Sequence, residues 1–254
     1  MTGPRTDTAR LREVWAAGGS AVGVWSVLAD PVAAEIVGAV DADVVCVDAQ
    51  HGLSDVATLP TVLQAFAVVG RVPLVRVRWN EPGQIMRALD AGAAGVVVPM
   101  VSSAEDAWAA AQACRFPPVG IRSWGPLWGA RPVAAPADQD AGVLCVVMVE
   151  TAGAVANLEE ILAVPGVDAI YVGPNDLALS CGYGRATYRT STQVDELLDH
   201  VVQTARAAGV PVGLHCSDLE MAAHWRDRGV SWMTAVTDAD LLAAGLRTAV
   251  DSLR

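Results

Sequence analysis

Eight short runs rich in Val, Ile and Ala, each followed by a segment with helical spacing, constrain this chain more than any other feature. They are AVGVWSVL from Ala21, DVVCVDAQ from Asp43, PLVRVRW from Pro73, GVVVPMV from Gly95, VLCVVMVE from Val143, DAIYVG from Asp168, VPVGLH from Val210 and SWMTAV from Ser231. Between them lie segments such as DPVAAEIVGAV, EPGQIMRALDAG, SAEDAWAAAQACR and SDLEMAAHWRDRG. These open on a capping or acidic residue, carry apolar residues at helical spacing and often end at Gly. Near-continuous Val and Ile runs suit strands covered on both faces, as in a parallel sheet. Eight strand-helix units in 254 residues predict an α/β chain forming a single-domain (β/α)8 TIM barrel over residues 1–254, with an N-terminal helix over TARLREVWAAGG. An open doubly wound sheet is the alternative, but its glycine fingerprint is missing, and GYGRAT at Gly182 does not directly follow a strand.

A hydrophobic content of 53% is enough for one large core, and no Ser/Gly linker or charge block divides the chain. No apolar stretch approaches the roughly 18 to 20 uninterrupted residues that a membrane span needs, so a soluble, cytoplasmic protein without a membrane partner is expected. Cys46, Cys114, Cys145, Cys181 and Cys216 are scattered singly and read as buried free thiols. A net charge of -11 with no basic run argues against nucleic acid, because neutralising phosphates takes clustered cations. All 17 basic residues are arginine. With no lysine, Schiff-base aldolase chemistry, pyridoxal phosphate chemistry and the lysine-containing phosphate loop are all excluded.

The rhythm breaks once. RFPPVGIRSWGPLWGARPVAAPADQDAG, residues 115–142, is far longer than the ~2 to 6 residues usual between strand and helix. Its Trp124 and Trp128 suit a lid or a subunit contact better than a disordered excursion.

In such a barrel the chemistry gathers where strands end at their carboxyl side. There the second run carries Asp48, Gln50 and His51, the third Arg76, the fifth Glu150, the sixth runs into GPNDL with Asp176, and the seventh ends at His215. Each has a bland alternative: Asp176 as a turn cap, Glu150 as a cap for the helix near Ala154, Arg76 as structural glue with Asp90, and His215 as a satisfied wall residue. Jointly they read as a site. Two carboxylates without cysteine ligands or an HExxH pattern favour a hard divalent cation, Mg2+ or Mn2+ with Co2+ as a further candidate, that keeps open positions for water and substrate. An arginine fork matches a substrate carboxylate. Cation and fork together would hold a 2-oxo acid and stabilise the enolate formed when a proton or a carbon group leaves C3.

The stretches VDAQHG, VRVRWNEPGQIMRALDAGAAGVVVPMV, PPVGIRSWGP and VETAGAVANLEEILAVPGVDAIYVGPNDL resemble the motifs of the HpcH/HpaI aldolase family, the metal-dependent class II pyruvate aldolases, over about Val22 to Leu242. The resemblance implies that Glu150 and Asp176 are the metal carboxylates, Arg76 contacts pyruvate and its enolate, and His51 is the base paired with Asp48. It also implies that the backbone amides of Gly173 and Asn175 meet the pyruvate carboxylate, and that the protein is a homo-oligomer, a hexamer by family likeness. Three positions depart from the family pattern. Met148 stands where the family usually has Gln, Gln50 where many members have Glu, and His215 with Cys216 at a rim position that is often apolar, so that Gln50 and His215 enter the substrate pocket in this reading.

The expected activity is therefore a carbon-carbon lyase that cleaves 4-hydroxy-2-oxo acids to pyruvate and an aldehyde, or runs the reverse addition. Oxaloacetate decarboxylation and cleavage of a CoA thioester would use the same enolate. A barrel that only binds an oxo acid is the non-catalytic alternative.

Overall fold

In the computed structural model, which describes residues 5–125, 127 and 134–254, each of the eight β-rich runs contains a strand. These are β1 Ala21–Ser26, β2 Val44–Asp48, β3 Leu74–Arg76, β4 Gly95–Val98, β5 Leu144–Val149, β6 Ala169–Val172, β7 Val212–His215 and β8 Trp232–Thr237. All neighbours pair in parallel, and β8 pairs with both β7 and β1 to close the barrel. Helix α1 (Asp7–Ala16) precedes β1, and α2 (Pro31–Gly38), α3 (Leu59–Val68), α4 (Pro82–Asp90) and α5 (Ala104–Ala113) follow the first four strands in turn. Helix α6 (Pro136–Gly142) leads into β5, α7 (Ala152–Ala156) and α8 (Leu158–Leu162) follow it, and α9 (Pro174–Ser180) with α10 (Thr192–Ala207) follow β6. Helices α11 (Leu219–Asp227) and α12 (Asp238–Asp251) follow β7 and β8. No described helix is long and apolar enough to cross a membrane.

Many helices start where a short polar side chain accepts a backbone N–H three residues on: Asp30 from Ala33, Ser103 from Asp106, Ser191 from Val194, Asp218 from Met221. Each such cap contributes on the order of 1 kcal/mol and sets where the chain turns from strand to helix.

The strands divide the core in two by their period of two residues. Val45, Val47, Val75, Val96, Val98, Val147, Val149 and Ile170 point outward and pack against the helices. Trp25, Val44, Cys46, Leu74, Val97, Val146, Met148, Tyr171 and Trp232 fill the barrel interior, and Leu11 of α1 packs with them. Continuing the inward phase by one step leads from Cys46 to Asp48, from Leu74 to Arg76, from Met148 to Glu150, from Tyr171 to Gly173 and from Trp232 to Thr234. Residues in the inward phase just past the packed interior therefore collect at the carboxyl-end rim. Cys46, Cys114, Cys145 and Cys216 are buried free thiols and Cys181 is half-buried.

The long connection is partly structured. Phe116 packs its ring against Trp124 at 5.3 Å, Arg122 pairs with Asp90 at 3.0 Å, and the backbone N–H of Phe116 donates to Asp140 of α6. Trp128 lies outside the described residues.

Candidate active site at the carboxyl end of the barrel

Strand register brings Asp48 and Arg76 side by side as direct partners at the ends of β2 and β3. The Arg76 guanidinium grips Asp48 with two bonds, Nε to Oδ1 at 2.9 Å and Nη2 to Oδ2. Asp48 also accepts Trp25 Nε1–H at 3.1 Å and the backbone N–H groups of Gln50 and His51 at 2.9 and 3.2 Å. Burial by itself would raise the Asp48 carboxyl, but the bonds from Arg76, Trp25 and Gln50 outweigh it and hold it below the usual carboxylate range. Burial likewise opposes the charge on Arg76, and Asp48 restores it. The guanidinium carbon sits 5.0 Å over the Trp25 ring, a cation–π contact that fixes its plane. One edge of Arg76 is thus bound to Asp48 and one face to Trp25, which leaves the Nη1 edge toward the cleft.

This geometry corrects one expectation. Asp48 orients the loop of His51 through its backbone N–H, and among the described residues no hydrogen bond joins the carboxylate to the His51 ring. The physical reason is saturation: both Asp48 oxygens are already occupied by five donors. Arg76 does not pair with Asp90, which is taken by Arg122.

Across the barrel, Glu150 is buried just beyond β5. Its Oε1 accepts the backbone N–H of Met100 at 2.7 Å. Met100 has φ 59, a conformation uncommon for a residue with a side chain. A Cβ added at Gly173 would fall 2.8 Å from Glu150 Oε2 and 3.3 Å from the Met148 methyl, so glycine there keeps the second carboxylate oxygen uncovered. Burial raises the Glu150 carboxyl above its usual range and Asp176 adds to this, while Met100 and Arg76 oppose it. Glu150 is no helix cap, because Thr151 caps α7 by accepting from Ala154. Asp176 lies in the first turn of α9 and is exposed.

Gly173 was expected to offer its amide to a substrate carboxylate. Instead its N–H donates to the Val149 carbonyl at 3.3 Å, because the strand ladder runs one residue further than the turn motif suggests. Asn175, in the first turn of α9, has no backbone acceptor within the helix for its N–H, as befits a helix start.

The cleft among these groups has a volume of about 170 Å³ and is lined by His51, Arg76, Met148, Tyr171, Asp176 and His215, with the Gly173–Asn175 turn. A larger hollow of about 490 Å³ lies at the opposite, amino end, near Trp15, Ser20, Arg206 and Ser231. No carboxylate lines it, whereas Arg76, His51 and Asp176 line the smaller cleft at the carboxyl end, so the smaller cleft is the candidate site. Tyr171, Thr234 and Trp25 escaped the sequence reading because they sit inside strand runs and look like core. Tyr171 stacks on Trp25 at 5.3 Å, its hydroxyl makes a short hydrogen bond with Thr234, and both hydroxyls lie 3.3 Å from His215 Nδ1. No local signal marks them, because which phase of a strand faces the lumen is settled only when the barrel closes.

The match with known proteins follows this geometry. Residues 21–244 match the family model described as HpcH/HpaI aldolase/citrate lyase. The chain is 34% identical over 250 residues to a hydroxypyruvate/pyruvate aldolase of Rhizorhabdus wittichii, covering 96% of this chain and 98% of that one. It is 34% identical over 242 residues to a 4-hydroxy-2-oxo-heptane-1,7-dioate aldolase of Klebsiella pneumoniae, covering 92% and 90%. A solved structure of an HpcH/HpaI aldolase/citrate lyase family protein from Burkholderia cenocepacia superposes with a TM-score of 0.83 at 31% identity, covering 97% and 98%.

The chain belongs to the HpcH/HpaI aldolase/citrate lyase family.

As a member of that family it can be tested for a cation site on its own residues. The donor set is two carboxylates, hard oxygen ligands of the kind Mg2+ and Mn2+ prefer. Glu150 has one oxygen anchored, the other uncovered beside a glycine, and a raised carboxyl that a cation would relieve. Among the described residues no group of three or more His, Cys, Asp or Glu gathers, so further coordination would fall to water and substrate oxygens. The residues fit a hard divalent cation with open positions.

Proposed function

We propose that this HpcH/HpaI family member is a class II aldolase that cleaves 4-hydroxy-2-oxo acids to pyruvate and an aldehyde, and runs the reverse addition. One observation carries the reading. At a single barrel rim, an arginine pinned by Asp48 and Trp25 faces a buried glutamate whose free oxygen is kept open by glycine. The relatives named as aldolases support it.

Glu150 and Asp176 would hold the cation, which supplies positive charge beside the ketone and enolate oxygens of the substrate. The chain's own groups do the rest. Arg76 presents its Nη1 edge to the oxo-acid and stabilises the negative charge as it develops, already oriented before substrate arrives. The Asn175 N–H meets the substrate carboxylate. His51, held by its backbone to Asp48, takes the proton of the C4 hydroxyl as the C3–C4 bond breaks. The bond's electron pair moves onto pyruvate as the enolate, and protonation at C3 completes the cleavage. Gln50 and His215 contribute to the substrate pocket, with Met148 and Tyr171 as its floor. The cation is Mg2+ or Mn2+, the protein works as a homo-oligomer, and its location is the cytoplasm.

The test separates base from enolate. His51→Ala should lose aldol cleavage by the ~10²- to 10⁴-fold typical of a general base, while oxaloacetate decarboxylation, which has no C4 hydroxyl, falls far less. Both are measured on one preparation with its metal content checked. Equal losses would assign His51 to the whole site. Chelation should stop both reactions, and turnover that survives exhaustive chelation removes the cation from the reading.

A further inference from the structure

A second cavity of about 120 Å³ adjoins the cleft, and Pro174, Asn175 and His215 line both. Beyond that shared wall its lining is Ala186, Val194, Leu198 and Met221, with the hydroxyls of Thr187, Tyr188 and Ser217. Val194, Leu198 and Met221 are core residues, held by α10 and α11. A substrate held between Arg76 and Glu150 therefore has room to extend on the β6–β7 side.

The charges around this cavity are already matched. Arg189, next to Tyr188, places its two terminal nitrogens 2.9 Å from the two oxygens of Asp218, reaches Glu220 at 3.2 Å and stacks over the Tyr188 ring at 4.8 Å. One guanidinium thus faces two carboxylates. His215 is held neutral at ordinary pH, its pKa lowered to about 4 by burial and by Arg76. With the Tyr171 and Thr234 hydroxyls 3.3 Å from Nδ1, a hydroxyl donor there leaves the Nε2–H for a ligand. Arg185 precedes Ala186 in sequence but is exposed and does not line the cavity.

We infer that this side cavity is the acceptor subsite of the aldolase and that it selects aldehydes with an uncharged tail, apolar or carrying a hydroxyl, over aldehydes that carry a carboxylate. The inference rests on the aldolase reading. A neutral tail gains the Val194–Leu198–Met221 wall and a donor from His215. An anionic tail would lose its hydration against a wall that, among the described residues, includes no arginine, and buried charge without a partner is strongly disfavoured. The preference sets this chain apart from relatives named for a dioate and for a sulfogluconate, whose substrates carry a second anionic group.

The experiment uses the full-length, Mn2+-loaded protein. Exchange of the pyruvate methyl protons in D2O, followed by NMR, reports enolate formation without any acceptor. Addition of pyruvate to propanal, butanal, glycolaldehyde and succinic semialdehyde is then compared as kcat/KM. The expected result is exchange, with the best neutral aldehyde at least about tenfold ahead of succinic semialdehyde, the scale on which one pocket contact discriminates. Thr187→Arg, an exposed position at the cavity, should move the ratio of succinic semialdehyde to butanal upward by about tenfold. Because both aldehydes are measured on one preparation, a misfolded variant loses both and leaves the ratio to the wild-type comparison. Succinic semialdehyde equal to or better than the neutral aldehydes overturns the inference, and loss of that advantage in Arg185→Ala would show which cation was underrated. Exchange without addition to any aldehyde overturns the subsite alone, whereas no exchange overturns the aldolase reading beneath it.

Discussion

Two buried aspartate-arginine pairs sit at opposite ends of this barrel, and they differ in what the arginine still has to offer. At the amino end, Arg71 reaches Asp7 with Nε at 3.3 Å and Nη2 at 3.1 Å, and also donates to the carbonyls of Val40 and Ala42 at 3.1 and 2.9 Å. Asp7 in turn accepts the Val45 N–H at 2.6 Å. Every face of that guanidinium meets protein, and the pair ties α1 to the barrel floor and to the short pairing of Arg5–Thr6 with Arg71–Val72. At the carboxyl end, Arg76 bonds to Asp48 alone among the described side chains and turns its remaining edge to a cleft. A closed donor set marks a structural pair, and an open edge facing a cavity marks a binding group. Burial does not separate them: the arginine side chains are 6% and 11% exposed.

The sharpest way to break this comparison is Arg71→Ala. It removes the arginine from a fully buried Asp7, and removing one partner of a buried pair costs about 3–5 kcal/mol. Denaturant unfolding should show that loss while the folded fraction keeps its turnover. A fall in turnover with unchanged stability would merge the two pairs into one class.

Arg76→Lys should invert the pattern. Lysine keeps the charge but cannot clamp Asp48 with one edge and present another, so kcat/KM should drop by about 10²- to 10³-fold, the usual range for a lost oxyanion donor. Thermal unfolding should move much less than in Arg71→Ala. Near-native turnover would mean that charge alone suffices at the rim.

The smallest effect sharpens the contrast between the two rim carboxyls. Glu150 has a raised folded pKa, so its ionisation destabilises the metal-free fold as pH rises through that pKa. Asp48 has a lowered one, and stabilises above its unfolded pKa until pH falls through the folded value. Glu150→Gln should therefore raise the midpoint of thermal unfolding of the chelated protein near neutral pH, by roughly 2–4 °C if about 1 kcal/mol is relieved. The gain should shrink in acid, and Mn2+ affinity should fall. A lower midpoint at neutral pH would show that the Met100 bond outweighs burial.

Much of this was legible in one dimension. Strand identity follows from Val-rich runs, because a strand covered on both faces needs apolar side chains at every position. Site membership follows from polar residues at the ends of such runs, because closure of the barrel brings all eight ends to one rim. Asp48, Arg76, Glu150, Asp176 and His51 were visible in this way. Tyr171 and Thr234 were not, since inside a strand nothing in the residue order says which phase faces the lumen. Gly173 lines the cleft, but its N–H donates to Val149 across the β5–β6 ladder, which the residue order does not show.

The sequence by itself determined the barrel, the oxygen-rich rim and, through the complete absence of lysine, the exclusion of imine chemistry. These depend on composition and local periodicity, which are properties of the chain read in order. Only the tertiary structure decided that Asp48 is the anchor of Arg76, that Met100 steadies Glu150 from the loop after β4, and that His215 shares a hydroxyl network with Tyr171 and Thr234. Those partners are separated by 28, 50, 44 and 19 residues. Hydrogen bonds are directional over about 3 Å, so partners that far apart along the chain are chosen by strand register and barrel closure, which no local pattern encodes.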